Sequence, residues 1–200
     1  FIIYLDGQPF IIDVGVPSYS RQTFSARRYE IWAMRSVYHN LPIVNGTEQQ
    51  QGSRYRAQEV GYAVDAQSAQ LQSNIAPSYP QEAGLERWDR TVRLLRQQAV
   101  VVTDLARFRQ AGNEVTQVLM TPCTVLASGP ETLTLKHPRS QRSLVIQLGQ
   151  QGWSATQTET LELEDRKLKE AWGPSITRIL LTQKIESDRW ESTLEFHPGQ

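Results

Sequence analysis

The sequence predicts an all-β fold: a large antiparallel β-sandwich of two or more stacked sheets, with minor short helices. Three observations carry this. Short apolar runs recur along the chain, separated by Gly, Pro, Asn and Ser. Several runs alternate, as at Leu133 and Leu135 against Thr132, Thr134 and Lys136, the pattern of a sheet with one wet face. Helix signals are confined to two brief stretches. At 200 residues the chain is long enough to bury a real core as one unit.

Phe1–Leu5 and Pro9–Ile12 flank Asp6-Gly7, a hairpin signal because a tight turn needs positive φ, which Gly tolerates. Arg87–Leu95 and Ala99–Thr103 form a second strand pair across Arg96-Gln97-Gln98. Val115–Met120, Leu133–Leu135, Leu144–Leu148, Leu161–Leu163, Ile176–Leu181 and Trp190–Phe196 continue the series. Helix is expected over a turn or two at Asp65–Gln72, before Pro77, and at Glu164–Trp172, which stops at Gly173-Pro174. No repeat, heptad or low-complexity linker divides the chain, so residues 1–200 read as one domain. The chain opens inside a strand, with no initiator Met, charged leader or cleavage site, and so reads as a piece of a longer protein.

Composition narrows the function. Lys plus Arg and Asp plus Glu both number 21, so there is no net basic charge to neutralise a phosphate backbone, and nucleic acid is not an expected partner. The apolar runs are too short to cross a membrane as helices. A lone Cys123 excludes an intrachain disulfide framework and a multi-thiolate metal site.

Few residues could carry chemistry. His137 and His197 each precede a proline at a strand end and read as exposed loop histidines. His39, in Tyr38-His39-Asn40-Leu41-Pro42, is open to either a hydrogen-bonded structural role or a functional one. Asp13 closes the apolar run Phe10-Ile11-Ile12 and is either an Asx-type turn or a paired functional carboxylate, because burying it alone is costly. Asp104, after Val100-Val101-Val102-Thr103, reads as a turn residue. No nucleophile elbow, phosphate loop or Cys/His metal spacing is present.

From Tyr4-Leu5-Asp6-Gly7 through Phe10-Ile11-Ile12-Asp13-Val14-Gly15, then Tyr38-His39-Asn40-Leu41-Pro42 and Asn45-Gly46, the chain resembles the heparinase II/III-like polysaccharide lyases. The likeness continues in order through Trp88-Asp89-Arg90-Thr91-Val92, the Val100–Asp104 run, and Trp172-Gly173 leading to Arg178-Ile179-Leu180-Leu181. The resemblance implies the C-terminal β-sandwich domain of such an enzyme, whose N-terminal α/α toroid would be its partner domain, and a periplasmic or secreted home. It implies β-elimination of a uronate-containing acidic polysaccharide, of glycosaminoglycan or alginate type. The catalytic residues would lie outside this chain, which alone should be inactive. It also implies zinc in the intact parent, with Asp13 and His39 as two of its ligands, close together, and Asn40 positioning His39 or meeting substrate. The competing reading is a non-catalytic carbohydrate-binding or architectural sandwich.

Overall fold

The computed structural model describes residues 1–129, 131–149 and 152–199. Strands β1 (Ile3–Leu5) and β2 (Gln8–Ile11) form the expected hairpin, with Asp6 and Gly7 at φ of 50° and 74°, the left-handed pair that a two-residue turn requires. The chain then runs irregularly through four single-turn 3-10 helices (Gln22–Phe24, Arg28–Glu30, Trp32–Met34, Ser36–Tyr38) to β3 (Ile43–Val44). Long strands follow: β4 (Gln58–Val64), β5 (Ser68–Asn74), β6 (Leu85–Leu95), β7 (Ala99–Phe108) and β8 (Asn113–Thr121). After β9 (Thr124–Ser128), β10 (Thr132–Lys136), β11 (Ser143–Gln147) and β12 (Ala155–Glu162), helix α1 (Arg166–Trp172) precedes β13 (Ser175–Ile185) and β14 (Arg189–Pro198).

The strands make an eight-stranded sheet in the order β4-β5-β6-β7-β14-β11-β10-β9, a four-stranded sheet β12-β13-β8-β3, and the small β1-β2 hairpin; every pairing is antiparallel. Val102, Leu133, Leu135, Ile146, Leu194 and Phe196 of the large sheet meet Leu119, Ile179 and Leu181 of the small one, with Phe10 and Ile11 of the hairpin among them. Each such side chain contributes about 1.5–3 kcal/mol relative to exposure. A second cluster gathers around Trp88 and Trp190, whose rings lie 5.3 Å apart. Successive residues of a strand face opposite ways, so Val118 and Met120 point away from Leu119. They pack with Ile12, Val14, Ala33, Leu163 and Leu168, which means that the irregular segment and α1 cover the second face of the small sheet. This double coverage is why Val118–Thr121 is a continuous buried run rather than an alternating one.

Asp165 fastens the irregular segment to α1. Its carboxylate accepts the Leu168 N–H as the helix cap (3.1 Å) and also the Ser18 N–H (3.0 Å), while Trp172 at the other end donates to the Val14 carbonyl (3.0 Å).

Several expectations need correction. Asp65–Gln72 is not helical: Asp65 makes an Asx turn to the N–H groups of Gln67 and Ser68, and Ser68–Asn74 pairs with β6 along its whole length. Ladder bonds to two neighbours outweigh the modest helix propensity of Ala, Gln and Leu. Leu161–Leu163 overlaps only the last two residues of β12, which begins at Ala155 in a largely polar stretch. Asp104 is not a turn residue but lies within β7, fully buried. His137 is not exposed: it is 4% accessible, packs on Phe10 and accepts the N–H groups of Arg139 and Ser140 at Nδ1 (3.3 and 3.1 Å). His197 lies in β14, half-buried, beside Glu195 (3.0 Å).

Candidate functional site

Asp13 sits where β2 leaves the core. Ile12 still donates to the Met120 carbonyl (2.9 Å), and the chain then turns outward. The turn is an Asx turn: Asp13 Oδ1 accepts the Gly15 N–H (3.0 Å), with Gly15 at φ 78°. This leaves Oδ2 free to face His39, whose Nδ1 lies 2.8 Å away. The turn reading and the paired-carboxylate reading of Asp13 are therefore one geometry, using different oxygens.

His39 is held from both sides in sequence. Its N–H closes the last 3-10 turn on the Ser36 carbonyl (3.1 Å). Next to it, Asn40 is 3% accessible, with its side chain turned into the protein. Asn40 Nδ2 donates to the Phe1 and Ile12 carbonyls (both 2.8 Å), and Oδ1 accepts the Met120 N–H (2.7 Å), so the residue ties the loop to both the hairpin and β8. The Asn40 carbonyl accepts from Arg90 Nη1 (3.0 Å). Arg90 in turn makes a two-pronged contact with Asp104 (2.8 Å on each oxygen) and donates to Gln117 Oε1 (2.7 Å). Gln117 Nε2 and Trp88 Nε1 complete the shell on Asp104, each at 2.6 Å. A saturated polar cluster thus bridges the two sheets directly beneath the His39 loop. Its one trace in the sequence is a charged residue, Arg90 or Asp104, inside each of two largely apolar strands.

Both ring nitrogens of His39 face acceptors, Nδ1 the Asp13 carboxylate at 2.8 Å and Nε2 the Ala33 carbonyl at 3.2 Å. The hydrogen bond with His39 holds the Asp13 carboxyl below the usual carboxylate range, against the opposing effect of partial burial. A carboxylate oxygen and an imidazole nitrogen are zinc donors by chemistry; at 2.8 Å the two atoms are in direct contact, closer than the roughly 3.3 Å between two ligands of one tetrahedral zinc ion. The carbonyl on the other ring nitrogen is the orienting partner that metal-bound histidines use. No group of three or more His, Cys, Asp or Glu side chains that could hold a metal ion forms among the described residues.

His39 also lines a cleft of about 510 Å³, shared with Tyr29, Met34, Arg35, Ser36 and the strip Glu48–Gly52. Residues 21–56, which include these, carry six arginines against two glutamates in a chain that is neutral as a whole. Arg27 and Arg35 are paired with Glu30 and Glu48 (2.7 Å each). Of the six, Arg35 lines the cleft itself.

No family model matches the sequence, and no curated protein matches it significantly. Solved structures do. Heparan sulfate lyase HepC from Pedobacter heparinus is 14% identical, with a TM-score of 0.72 over 98% of this chain and 29% of its own. A heparinase III gene product with methylated lysines is 12% identical (TM-score 0.70; 99% of this chain, 29% of its own), and a further heparinase III is 11% identical (0.67; 98% and 29%). The chain thus spans about three-tenths of the length of the structures that it matches. By fold, and over nearly all of its residues, this chain is similar to one portion of heparan sulfate lyase HepC and of the heparinase III structures.

Proposed function

We propose that the chain is the β domain of a polysaccharide lyase that cleaves a uronate-containing acidic polysaccharide by β-elimination. The observation that carries the reading is the Asp13–His39 pair, with His39 lining a cleft beside Arg35, in a segment (residues 21–56) that has six arginines against two glutamates. The fold likeness to heparan sulfate lyases supports it. In β-elimination a base removes the proton next to the uronate carboxylate, the carboxylate charge is neutralised, and the glycosidic oxygen is protonated as it leaves. The arginines of residues 21–56 attract and orient the polyanion. The groups that move protons belong to the rest of the lyase, an N-terminal α/α toroid, so these 200 residues bind but do not turn over.

We assign Asp13 Oδ2 and His39 Nδ1 as two ligands of a zinc ion whose remaining ligands come from outside the chain. A zinc ion held there would supply a structural cross-link between this chain and the part of the protein that gives the other ligands. Asn40 and the Ala33 carbonyl orient His39 toward it.

The test follows absorbance of the unsaturated uronate product on heparan sulfate and alginate, beside binding of the same glycans. The 200-residue chain should bind without turnover. Fused behind a helical toroid domain it should turn over, and hold zinc that His39→Ala removes. Turnover by the chain alone would show that the proton-transfer groups are misplaced. Absence of glycan binding would leave only an architectural sandwich.

A further inference from the structure

One wall of the His39 cleft is the strip Glu48-Gln49-Gln50-Gln51-Gly52. Its backbone is fixed in place: the Gln50 N–H donates to the Ser78 carbonyl (3.0 Å), and Ser36 Oγ reaches the Gln49 carbonyl (3.4 Å). Two of its side chains are already used. Glu48 is held by Arg35 Nε and Nη2 (3.1 and 2.7 Å), and Gln49 lies against the buried Tyr79. Gln50 and Gln51 differ. Both are exposed, and neither side chain has a hydrogen-bond partner among the described residues. The same cleft presents the ring of Tyr29, 41% accessible, and the apolar surfaces of Met34 and Leu41.

A carboxamide places a donor and an acceptor side by side and carries no charge. Adjacent sugar hydroxyls offer the same donor–acceptor pair, and the C–H face of a pyranose suits an aromatic ring. A volume of about 510 Å³ lies within the range of small-ligand sites. Two successive free amides on a pinned backbone, an aromatic ring and an apolar floor make a surface for a hydroxylated ring rather than for an isolated anion.

We propose that Gln50 and Gln51 read the hydroxyls of one sugar unit while Tyr29 packs on its ring, so that this strip determines which glycan the cleft accepts. The inference rests on the proposed function, because it presumes a saccharide in the cleft. It adds a division of labour. The arginines supply attraction to the polyanion without regard to stereochemistry, and the amides discriminate between hydroxyl patterns.

The experiment titrates the 200-residue chain with an unsulfated heparosan tetrasaccharide and, separately, an alginate tetrasaccharide. It follows the side-chain NH₂ resonances of Gln50 and Gln51 by NMR and the affinity by calorimetry. One of the two glycans should shift both resonances. Gln50→Ala with Gln51→Ala should weaken that glycan roughly tenfold, several-fold for each lost neutral hydrogen bond, and narrow its preference over the other. Gln50→Glu with Gln51→Glu keeps the size but opposes a uronate, and should weaken binding further. Gln157→Ala, on exposed β12, should change nothing. Circular dichroism unchanged in every variant excludes unfolding. Binding that persists unaltered in Gln50→Ala/Gln51→Ala, with both resonances unmoved, overturns this inference and leaves the proposed function standing. No binding of either glycan to the unmodified chain overturns both.

Discussion

Arg90–Asp104 and His39–Asp13 are both contacts of 2.8 Å between a carboxylate and a nitrogen base, one on each side of Asn40. They differ in surroundings. The first pair is 8% and 2% accessible and is closed in by Trp88, Gln117 and the Asn40 carbonyl; the second is 22% and 50% accessible and opens onto a cleft. Equal distance therefore does not mean equal energy. Water stabilises the exposed partners almost as well as they stabilise each other, whereas a buried partner left alone has no substitute. The lower pair is part of what holds the sheets together, and the upper pair is available for chemistry because little of the fold depends on it.

The largest expected effect tests the buried side. Asp104→Ala should cost about 3–5 kcal/mol, read from the urea midpoint, because it strands the Arg90 guanidinium between the sheets. Adding Arg90→Ala should cost little more than either change alone, since both act on one network. A loss under about 1 kcal/mol for Asp104→Ala would place the pair with ordinary surface bridges and break the contrast.

Asn40→Ala comes next. It leaves the Phe1 and Ile12 carbonyls and the Met120 N–H without their partner, and should cost about 2–3 kcal/mol. Hydrogen exchange should quicken at Met120 and His39, marking the loss of the link between the two regions.

His137 sharpens the comparison through pH. Burial, with Arg139 adding to it, holds its pKa below the free value, and Nδ1 must stay unprotonated to accept two N–H groups. The unfolded chain therefore binds the proton more readily. The contribution of His137 is complete above about pH 6.5 and is lost as the pH falls from there through the folded pKa. Urea midpoints between pH 7.5 and 5 should decline in this window, and His137→Asn, which keeps an acceptor near Nδ1 without titrating, should flatten the decline.

The smallest effect belongs to the exposed pair. Asp13→Ala or His39→Ala should alter metal-free stability by about 0–1 kcal/mol. A drop of the size expected for Asp104→Ala would show that the pair is structural after all.

Much of this architecture was legible in the chain. Apolar alternation exposed β6, β7, β10, β11 and β14, and Asp6-Gly7 gave the first hairpin, because in these segments one face is dry and the other wet. Strands β4, β5 and β12 are largely solvated, so no alternation marks them; the only trace in β12 was β-branched Thr156, Thr158 and Thr160. Asp13, His39 and Asn40 stood out because polar residues interrupt or follow apolar runs, and the structure brings all three to one loop. What was not legible is pairing at a distance. Arg90 and Asp104 meet only because β6 and β7 are in register, as Arg90 opposite Asp104, and the closing Gln117 comes from the other sheet.

The position of β14 has a consequence for how the molecule is made. Residues 189–198 lie in the middle of the eight-stranded sheet, with β7 on one side and β11 on the other. Until they leave the ribosome, β4–β7 and β9–β11 are two half-sheets with their inner edges bare. Assembly of the large sheet is therefore a non-local event, and its rate is governed by closing the β7–β14 ladder across about eighty intervening residues or more. Nascent chains arrested before residue 189 should present those edges to chaperones, and chains released after residue 198 should not.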